Sequence, residues 1–227
     1  MAYLDGMAGK VHFAMLSRKL RCVSSKDISL LCRPFGARPS SMQAILLRRG
    51  ALVPLLFRGV FYVRSPRELM ALSQPSSPLE MAALACNTRL GAGWHFGLHT
   101  ALLLNGIAGT QAQAKTFIVT KRQIIPKVRR WRGMEFVFSQ IRGLPGGAGI
   151  IEKGGIRYSG PARTALDFLH LGLKGGNPSY AGEALDAAIA HNRKGFVSEC
   201  GSLLRHYSTK KAMGKIIPMR LKGNHAP

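Results

Sequence analysis

The segment from Ser24 to Val63 constrains the fold of this chain more than any other stretch. It contains two short amphipathic runs, a break between them, and then a hairpin pattern with an arginine at its centre. Capping hydroxyls at Ser24 and Ser25 precede the first run, and a proline opens the second run, from Pro39 to Arg49, where a missing N–H costs nothing. The pattern therefore predicts helix, turn, helix and hairpin, in that order.

Proline and glycine mark the ends of these elements. Arg33-Pro34-Phe35-Gly36 breaks the first run, and Gly50 follows the second, where a left-handed residue commonly ends a helix. Apolar residues 51–57 and 60–63 flank Arg58-Gly59, which favours a tight hairpin. This order is typical of a winged helix, whose recognition helix enters a DNA groove while a basic wing reaches the adjacent phosphates.

The chain carries a large excess of positive charge. Among 227 residues there are 33 Lys and Arg but 10 Asp and Glu, which gives a formal net charge of +23. Hydrophobic residues make up 46% of the chain, so it is not a disordered polycation. The charge implies a polyanionic partner: nucleic acid first, an acidic protein second, and an anionic membrane surface third.

The expected fold class is α+β. A winged helix-turn-helix is expected over residues 1–70, a proline- and serine-rich linker over 71–78, and a mixed α+β domain over 79–227. In that last domain we predict strands at 116–120 and 135–138 and helices at 161–171 and 180–190.

Cysteine usage and hydropathy indicate a cytoplasmic protein. The cysteines are isolated and lack metal-ligand spacing, which favours reduced, mostly buried thiols. We expect no signal peptide, because the N-terminus lacks an apolar core with a cleavage site. Residues 91–114 carry no formal charge but include several polar side chains, so a buried helix with loops is favoured over a membrane span.

Helical periodicity divides residues 39–49 into two faces. Met42, Ile45 and Leu46 have i, i+3, i+4 spacing and are predicted to contact the core. Leu47 points outward on the same wheel, so it requires cover from the wing or from a neighbouring chain. Gln43 suits an adenine edge and Ala44 a thymine methyl group.

Arginines around the hairpin are predicted to attract phosphates without regard to sequence, and serines on the flank of the helix suit the same role. Neutralisation of about six phosphates predicts that log affinity falls with log salt with a slope near −5. The complete set of predicted DNA-binding residues is Arg38, Ser40, Ser41, Gln43, Ala44, Arg48, Arg49, Arg58 and Arg64.

Three segments together resemble the AbiEi family of antitoxin-like transcriptional regulators. Residues 46–62 (LLRRGALVPLLFRGVFY) are similar to the end of that family's recognition helix and its wing. Residues 100–107 (TALLLNGI) and 161–169 (PARTALDFL) are similar to two of its helices. The resemblance implies a winged helix that represses its own operon through inverted repeats. It also implies a C-terminal domain that neutralises a nucleotidyltransferase-like toxin of a type IV toxin–antitoxin system.

The acidic residues and histidines give little indication of catalysis. Glu135 and Glu152-Lys153 resemble remnants of a metal-dependent nuclease core, but no third acid is evident. His95 and His99 have a zinc-like i, i+4 spacing on a possible helix, although packed or capping histidines are favoured. We expect no enzymatic activity, no cofactor, no metal and no membrane partner. Two alternatives stay open: a winged-helix-targeted, nuclease-like nucleic-acid-processing protein, and a basic RNA-binding structural protein.

Overall fold

The computed structural model describes residues 6–71, 77–107, 115–143, 147–175 and 179–223. Within these residues the chain is a mixed α+β protein with ten α-helices and two β-sheets. Its contacts divide it into an N-terminal unit, Met1–Gly91, and a C-terminal unit, Ala92–Pro227. In the described ranges, no helix combines the length and the apolar character that a membrane crossing requires.

The N-terminal unit packs helices on a small antiparallel sheet whose strand order is β1-β3-β2. The core contains residues such as Val11, Ile28 and Leu46, which come from three successive helices, together with Phe61 of the sheet. A 3-10 turn, Arg33–Phe35, joins the second helix to the third. The elements are α1 (Gly6–Ser17), β1 (Cys22–Ser24), α2 (Ser25–Cys32), α3 (Pro39–Arg48), β2 (Leu52–Pro54), β3 (Val60–Val63), α4 (Pro66–Ala71) and α5 (Pro78–Leu90).

Three helices of this unit begin with the same reciprocal arrangement of hydrogen bonds. A serine hydroxyl accepts from the backbone N–H three residues later, and the carboxylate of that later residue accepts from the serine N–H. The pairs are Ser24–Asp27, Ser65–Glu68 and Ser77–Glu80. These three acids are all the carboxylates in the described part of the unit, so each of its negative side chains serves a helix N-terminus.

Two boundaries differ from those predicted. The division at Gly91 replaces the expected boundary at 71–78, because α5 packs on β1 and β3; residues 72–76 lie outside the described residues. The first hairpin strand ends at Pro54 instead of Phe57, since residues 55–57 turn inward and are buried. The predicted helices around Lys26–Leu31 and Pro39–Arg49 are confirmed within one residue at each end.

The C-terminal unit contains a six-stranded mixed sheet with the order β6-β7-β5-β4-β9-β8. The β5–β7 and β4–β9 pairs are parallel, and the other neighbours are antiparallel. Helices from this unit form its main core, in which Leu166, Leu185 and Phe196 are buried. The elements are β4 (Trp94–Phe96), α6 (Leu98–Leu104), β5 (Lys115–Thr120), β6 (Val128–Trp131), β7 (Met134–Gln140), β8 (Ile150–Lys153), β9 (Ile156–Ser159), α7 (Pro161–Gly175), α8 (Ser179–His191), α9 (Arg193–Leu204) and α10 (Lys210–Gly223).

The strands and helices predicted for this unit are confirmed with longer bounds, as β5, β7, α7 and α8. Sequence patterns missed β4, β6 and β9. Each of these strands has only three or four residues, which is too short for an alternating pattern to stand out.

Candidate nucleic-acid interface

The α3 helix has a core face and a solvent face, as its periodicity predicts. Met42 and Leu46 are buried. On the opposite side Ser40, Ala44 and Arg48 are exposed at i, i+4, i+8 spacing. The helix has 10 residues and is therefore about 15 Å long, enough to present three consecutive turns to a groove.

Leu47, for which cover from the wing or from a neighbouring chain was predicted, is covered at least in part by its own unit. The side chain is half-buried and packs against the core of the N-terminal unit. Gly50 ends the helix with φ +73° and lets the chain turn back at once into β2. Leu47 is therefore covered in part by its own unit, although a helical wheel of α3 places this residue on the solvent face.

The hairpin tip, the start of α2 and the middle of α3 meet at Ser25. The Ser25 backbone N–H donates to the Gly59 carbonyl at 2.8 Å, and its hydroxyl donates to Gln43 Oε1 at 3.1 Å. Gly59 has φ +75°, and a Cβ there would lie 3.0 Å from the Ser25 hydroxyl. Glycine is therefore required for this close approach, which holds Arg58 beside the solvent face of α3.

The contact with Ser25 limits the hydrogen bonds that the Gln43 side chain can form with a base. Gln43 is half-buried, and its amide oxygen already accepts a hydrogen bond. A bidentate contact with adenine needs both the amide oxygen and the amide nitrogen. Base reading by Gln43 therefore requires the Ser25 hydroxyl to rotate away or to share that oxygen.

Most of the predicted arginines lie on the exposed surface of the N-terminal unit. Arg38 precedes α3, Arg48 and Arg49 end it, and all three are exposed, as is Arg58 at the hairpin tip. Within the described ranges none of these arginines, nor Arg64, forms an ion pair. The positions of Arg48 and Arg49 also suit the partial negative charge at a helix C-terminus.

Arg64, predicted among the arginines around the hairpin, does not lie at its tip. It follows β3 at the base of the hairpin, so the whole strand, about 13 Å, separates it from Arg58. Its guanidinium Nη1 lies 3.5 Å from the position of a Cβ on Gly50, beside the end of α3. Its carbonyl accepts a 2.7 Å hydrogen bond from His12 Nε2, and burial lowers the pKa of this histidine.

The interface consequently has two basic ends. One is formed by Arg58 near the middle of α3, and the other by Arg48, Arg49 and Arg64 at the C-terminus of α3. Sequence reasoning missed the part that Ser25 plays between α2, α3 and the hairpin. The spacing Ser24-x-x-Asp27 was the available signal, because it identifies Ser24 as the helix cap and leaves the Ser25 side chain for another contact.

The C-terminal unit contains a buried cluster of charged and polar side chains. Asp167 accepts from Tyr207 at 2.6 Å and from His95 Nε2 at 3.1 Å, and Arg163 Nε lies 3.9 Å from it. Burial lowers the pKa of His95 against the opposing effect of Asp167, which favours the neutral ring. Burial and the carboxylate together hold the pKa of Tyr207 well above its usual value. Asp167 is fully buried, and its hydrogen bond with His95 joins β4 to α7.

The structure separates the residues considered for catalysis. His95 lies on β4 and His99 on α6, so they do not share a helix face. Glu135 on β7 and Glu152 on β8 have three strands between them, a separation of about 19 Å. Both glutamates are ion-paired with basic side chains. Among the described residues, no group of three or more His, Cys, Asp or Glu is placed to hold a metal ion.

The overall architecture is similar to that of a solved structure. No family model matches the chain, and no curated protein matches it. A crystal structure of the RV2827C protein from Mycobacterium tuberculosis is similar, with a TM-score of 0.58 and 16% sequence identity. The match covers 92% of this chain and 75% of that one. At this level of identity, the likeness describes the fold alone.

Proposed function

We propose that this chain is a DNA-binding transcriptional autorepressor whose N-terminal unit is a winged helix. The observation that carries the proposal is the combination of topology and charge in that unit. Its element order, α1-β1-α2-α3-β2-β3, with β3 central in the sheet, is the plan of such domains. The exposed face of α3 carries short polar and apolar side chains suited to a major groove, and arginines border it at both ends.

The proposed DNA complex contains two kinds of contact, one with bases and one with phosphates. Residues on α3, chiefly Gln43 and Ala44, discriminate between bases, while Arg58 and the arginines at the end of α3 attract phosphates. These arginines form no ion pair with any described acid, and this supports the second role, because no such carboxylate competes with a phosphate. Ser25 keeps Gln43 beside the hairpin tip, and its hydroxyl rotates away or shares the amide oxygen when Gln43 contacts a base.

We further propose that the chain is the antitoxin of a type IV toxin–antitoxin system and neutralises a nucleotidyltransferase-like toxin. This part rests on the resemblance of residues 46–62, 100–107 and 161–169 to the AbiEi family. In the structure, the last of these segments supplies Arg163 and Asp167 to the buried cluster. Growth rescue on co-expression with a toxin encoded beside the gene tests this part separately from DNA binding.

The DNA-binding proposal is tested by fluorescence anisotropy of the full chain. The probes are duplex DNA from immediately upstream of its gene and a scrambled duplex of equal length, each across a salt series. Binding to the upstream DNA is expected to be at least a hundredfold tighter and to survive physiological salt, about 0.15 M. Equal affinities that fall together as salt rises would contradict sequence reading and reduce the protein to a general polyanion binder.

Single substitutions separate the two kinds of contact. Gln43→Ala is expected to weaken binding to the upstream duplex by about 1–3 kcal/mol and to leave the scrambled duplex unaffected. Arg58→Ala is expected to weaken binding to both duplexes about fivefold at 0.15 M salt. It is also expected to reduce the slope of log affinity against log salt by about 0.9. Arg89→Ala, an exposed arginine in the last turn of α5, is the charge-matched control and is expected to have little effect. Equal losses on both duplexes for Gln43→Ala would exclude base reading by that residue.

A further inference from the structure

The β6–β7 hairpin at one edge of the C-terminal sheet concentrates positive charge. No acidic residue occurs from 121 to 134, and the first carboxylate after this stretch is Glu135. That glutamate lies 3.5 Å from Lys115 and 3.6 Å from Arg130, whose side chain is nevertheless 86% exposed. The basic residues in the stretch are Lys121, Arg122, Lys127, Arg129, Arg130 and Arg132.

The turn of this hairpin places an arginine where the backbone disfavours one. Trp131 pairs with Met134, and the two central residues, Arg132 and Gly133, have φ +52° and +76°. Two-residue turns with positive φ at both central positions strongly favour Asn, Asp or Gly at the first of them. Arginine in a left-handed conformation therefore costs free energy in the folded state.

The other hairpin of the same sheet provides an internal comparison. The β8–β9 hairpin pairs Lys153 with Ile156 and has Gly154 and Gly155 at the two central positions, with φ +59° and +78°. The same turn is thus built without strain at the opposite edge of the sheet. Arg132 occupies the place that corresponds to Gly154, where glycine adopts the same left-handed conformation without strain.

The arginine at the tip is also held in place. The Arg132 guanidinium lies over the Trp131 ring, 5.0 Å from its centroid. Stacking of this kind restricts the side chain and fixes its position at the tip of the hairpin. Basic residues on an edge strand can simply prevent pairing with other chains. That explanation covers Arg130 but not an arginine in the turn, which lies beyond the paired part of β6.

We propose that the β6–β7 hairpin contacts the sugar–phosphate backbone of duplex DNA, through Arg132 at its tip and Arg130 on its exposed edge. This inference rests on the proposed function, DNA binding, and adds to it a second surface in the C-terminal unit. The contact is independent of sequence, because arginines on phosphates carry no base information. It therefore adds affinity to operator and non-operator DNA alike.

The test compares two hairpin variants and a control in the same full-length anisotropy assay. Arg132→Asn and Arg130→Ala are each expected to weaken binding to both duplexes about fivefold at 0.15 M salt, with a salt slope smaller by about 0.9. Lys153→Ala removes one charge beside the other hairpin and is expected to bind like the wild type. Thermal unfolding of Arg132→Asn is expected at or above the wild-type temperature, because Asn-Gly suits this turn.

The outcomes distinguish this inference from the proposed function. If both hairpin variants bind like the wild type while Arg58→Ala binds more weakly, the hairpin has no DNA contact and the inference is overturned. A loss seen only with single-stranded RNA, and not with duplex DNA, would also overturn it. If the wild type fails to prefer its own upstream DNA, the autorepressor proposal fails. Lower affinity of the hairpin variants for both duplexes would still support the contact proposed for the hairpin.

Discussion

Asp167→Asn is expected to destabilise the C-terminal unit strongly. The Asp167 side chain is fully buried, and each of its oxygens has a partner: Tyr207 on one, His95 and the more distant Arg163 on the other. Asparagine has nearly the same shape but no charge. The substitution therefore leaves the packing in place and removes the negative charge that faces the buried guanidinium of Arg163.

The expected cost follows from the burial of Arg163, which is 2% exposed. Removing one partner of a buried ion pair leaves an uncompensated charge and costs about 3–5 kcal/mol. Domains have total unfolding free energies of about 5–15 kcal/mol, so this loss is a large part of the whole. Adding Arg163→Met to Asp167→Asn is expected to restore part of the stability, because the unpaired cation is then absent.

Urea unfolding followed by tryptophan fluorescence measures this loss in the unit concerned. The chain has two tryptophans, Trp94 and Trp131, and both lie in the C-terminal unit. A loss of 3–5 kcal/mol is expected to lower the midpoint by about 2 M urea without a change in slope. Asp186→Asn is the matched control. Asp186 lies 2.7 Å from Arg220, but the two side chains are 35% and 45% exposed. The expected cost in unfolding free energy is therefore below about 1 kcal/mol. Equal costs for the two substitutions would refute the reasoning.

The parts of the fold that the sequence predicts well are those with local causes. Proline and glycine mark the ends of α3, and apolar spacing identifies its core face, so both follow from residues within a few positions of each other. The exposure of Ser40, Ala44 and Arg48 follows in the same way. The position of Arg64 at the base of the hairpin follows from the bounds of β3, which match the predicted residues 60–63.

The remaining features depend on contacts between residues far apart in the chain. Ser25 meets Gly59 and Gln43 only after α2, α3 and the hairpin have packed together. The buried cluster joins His95 to Asp167 across 72 positions. Helical periodicity on its own placed His95 and His99 on one helix face, whereas His95 belongs to a three-residue strand that is held by its neighbours in the sheet.

Two further predictions concern the N-terminal unit, with unfolding followed by far-UV circular dichroism. Ser24→Ala removes the cap of α2 and is expected to lower the free energy of unfolding by about 1 kcal/mol. Ser29→Ala, inside the same helix, is the control and is expected to lower it little. A smaller loss for Ser24→Ala than for Ser29→Ala would contradict the capping role. Burial holds the pKa of His12 below its ordinary 6.5, so below pH 6.5 the unfolded chain binds more protons at this site than the folded one. Stability from His12 is therefore present above that pH and is lost as pH falls, by at most about 1.4 kcal/mol per unit. His12→Gln is expected to reduce the change of the urea midpoint with pH between pH values of about 5 and 7. An unchanged pH dependence would show that His12 does not take up a proton on unfolding.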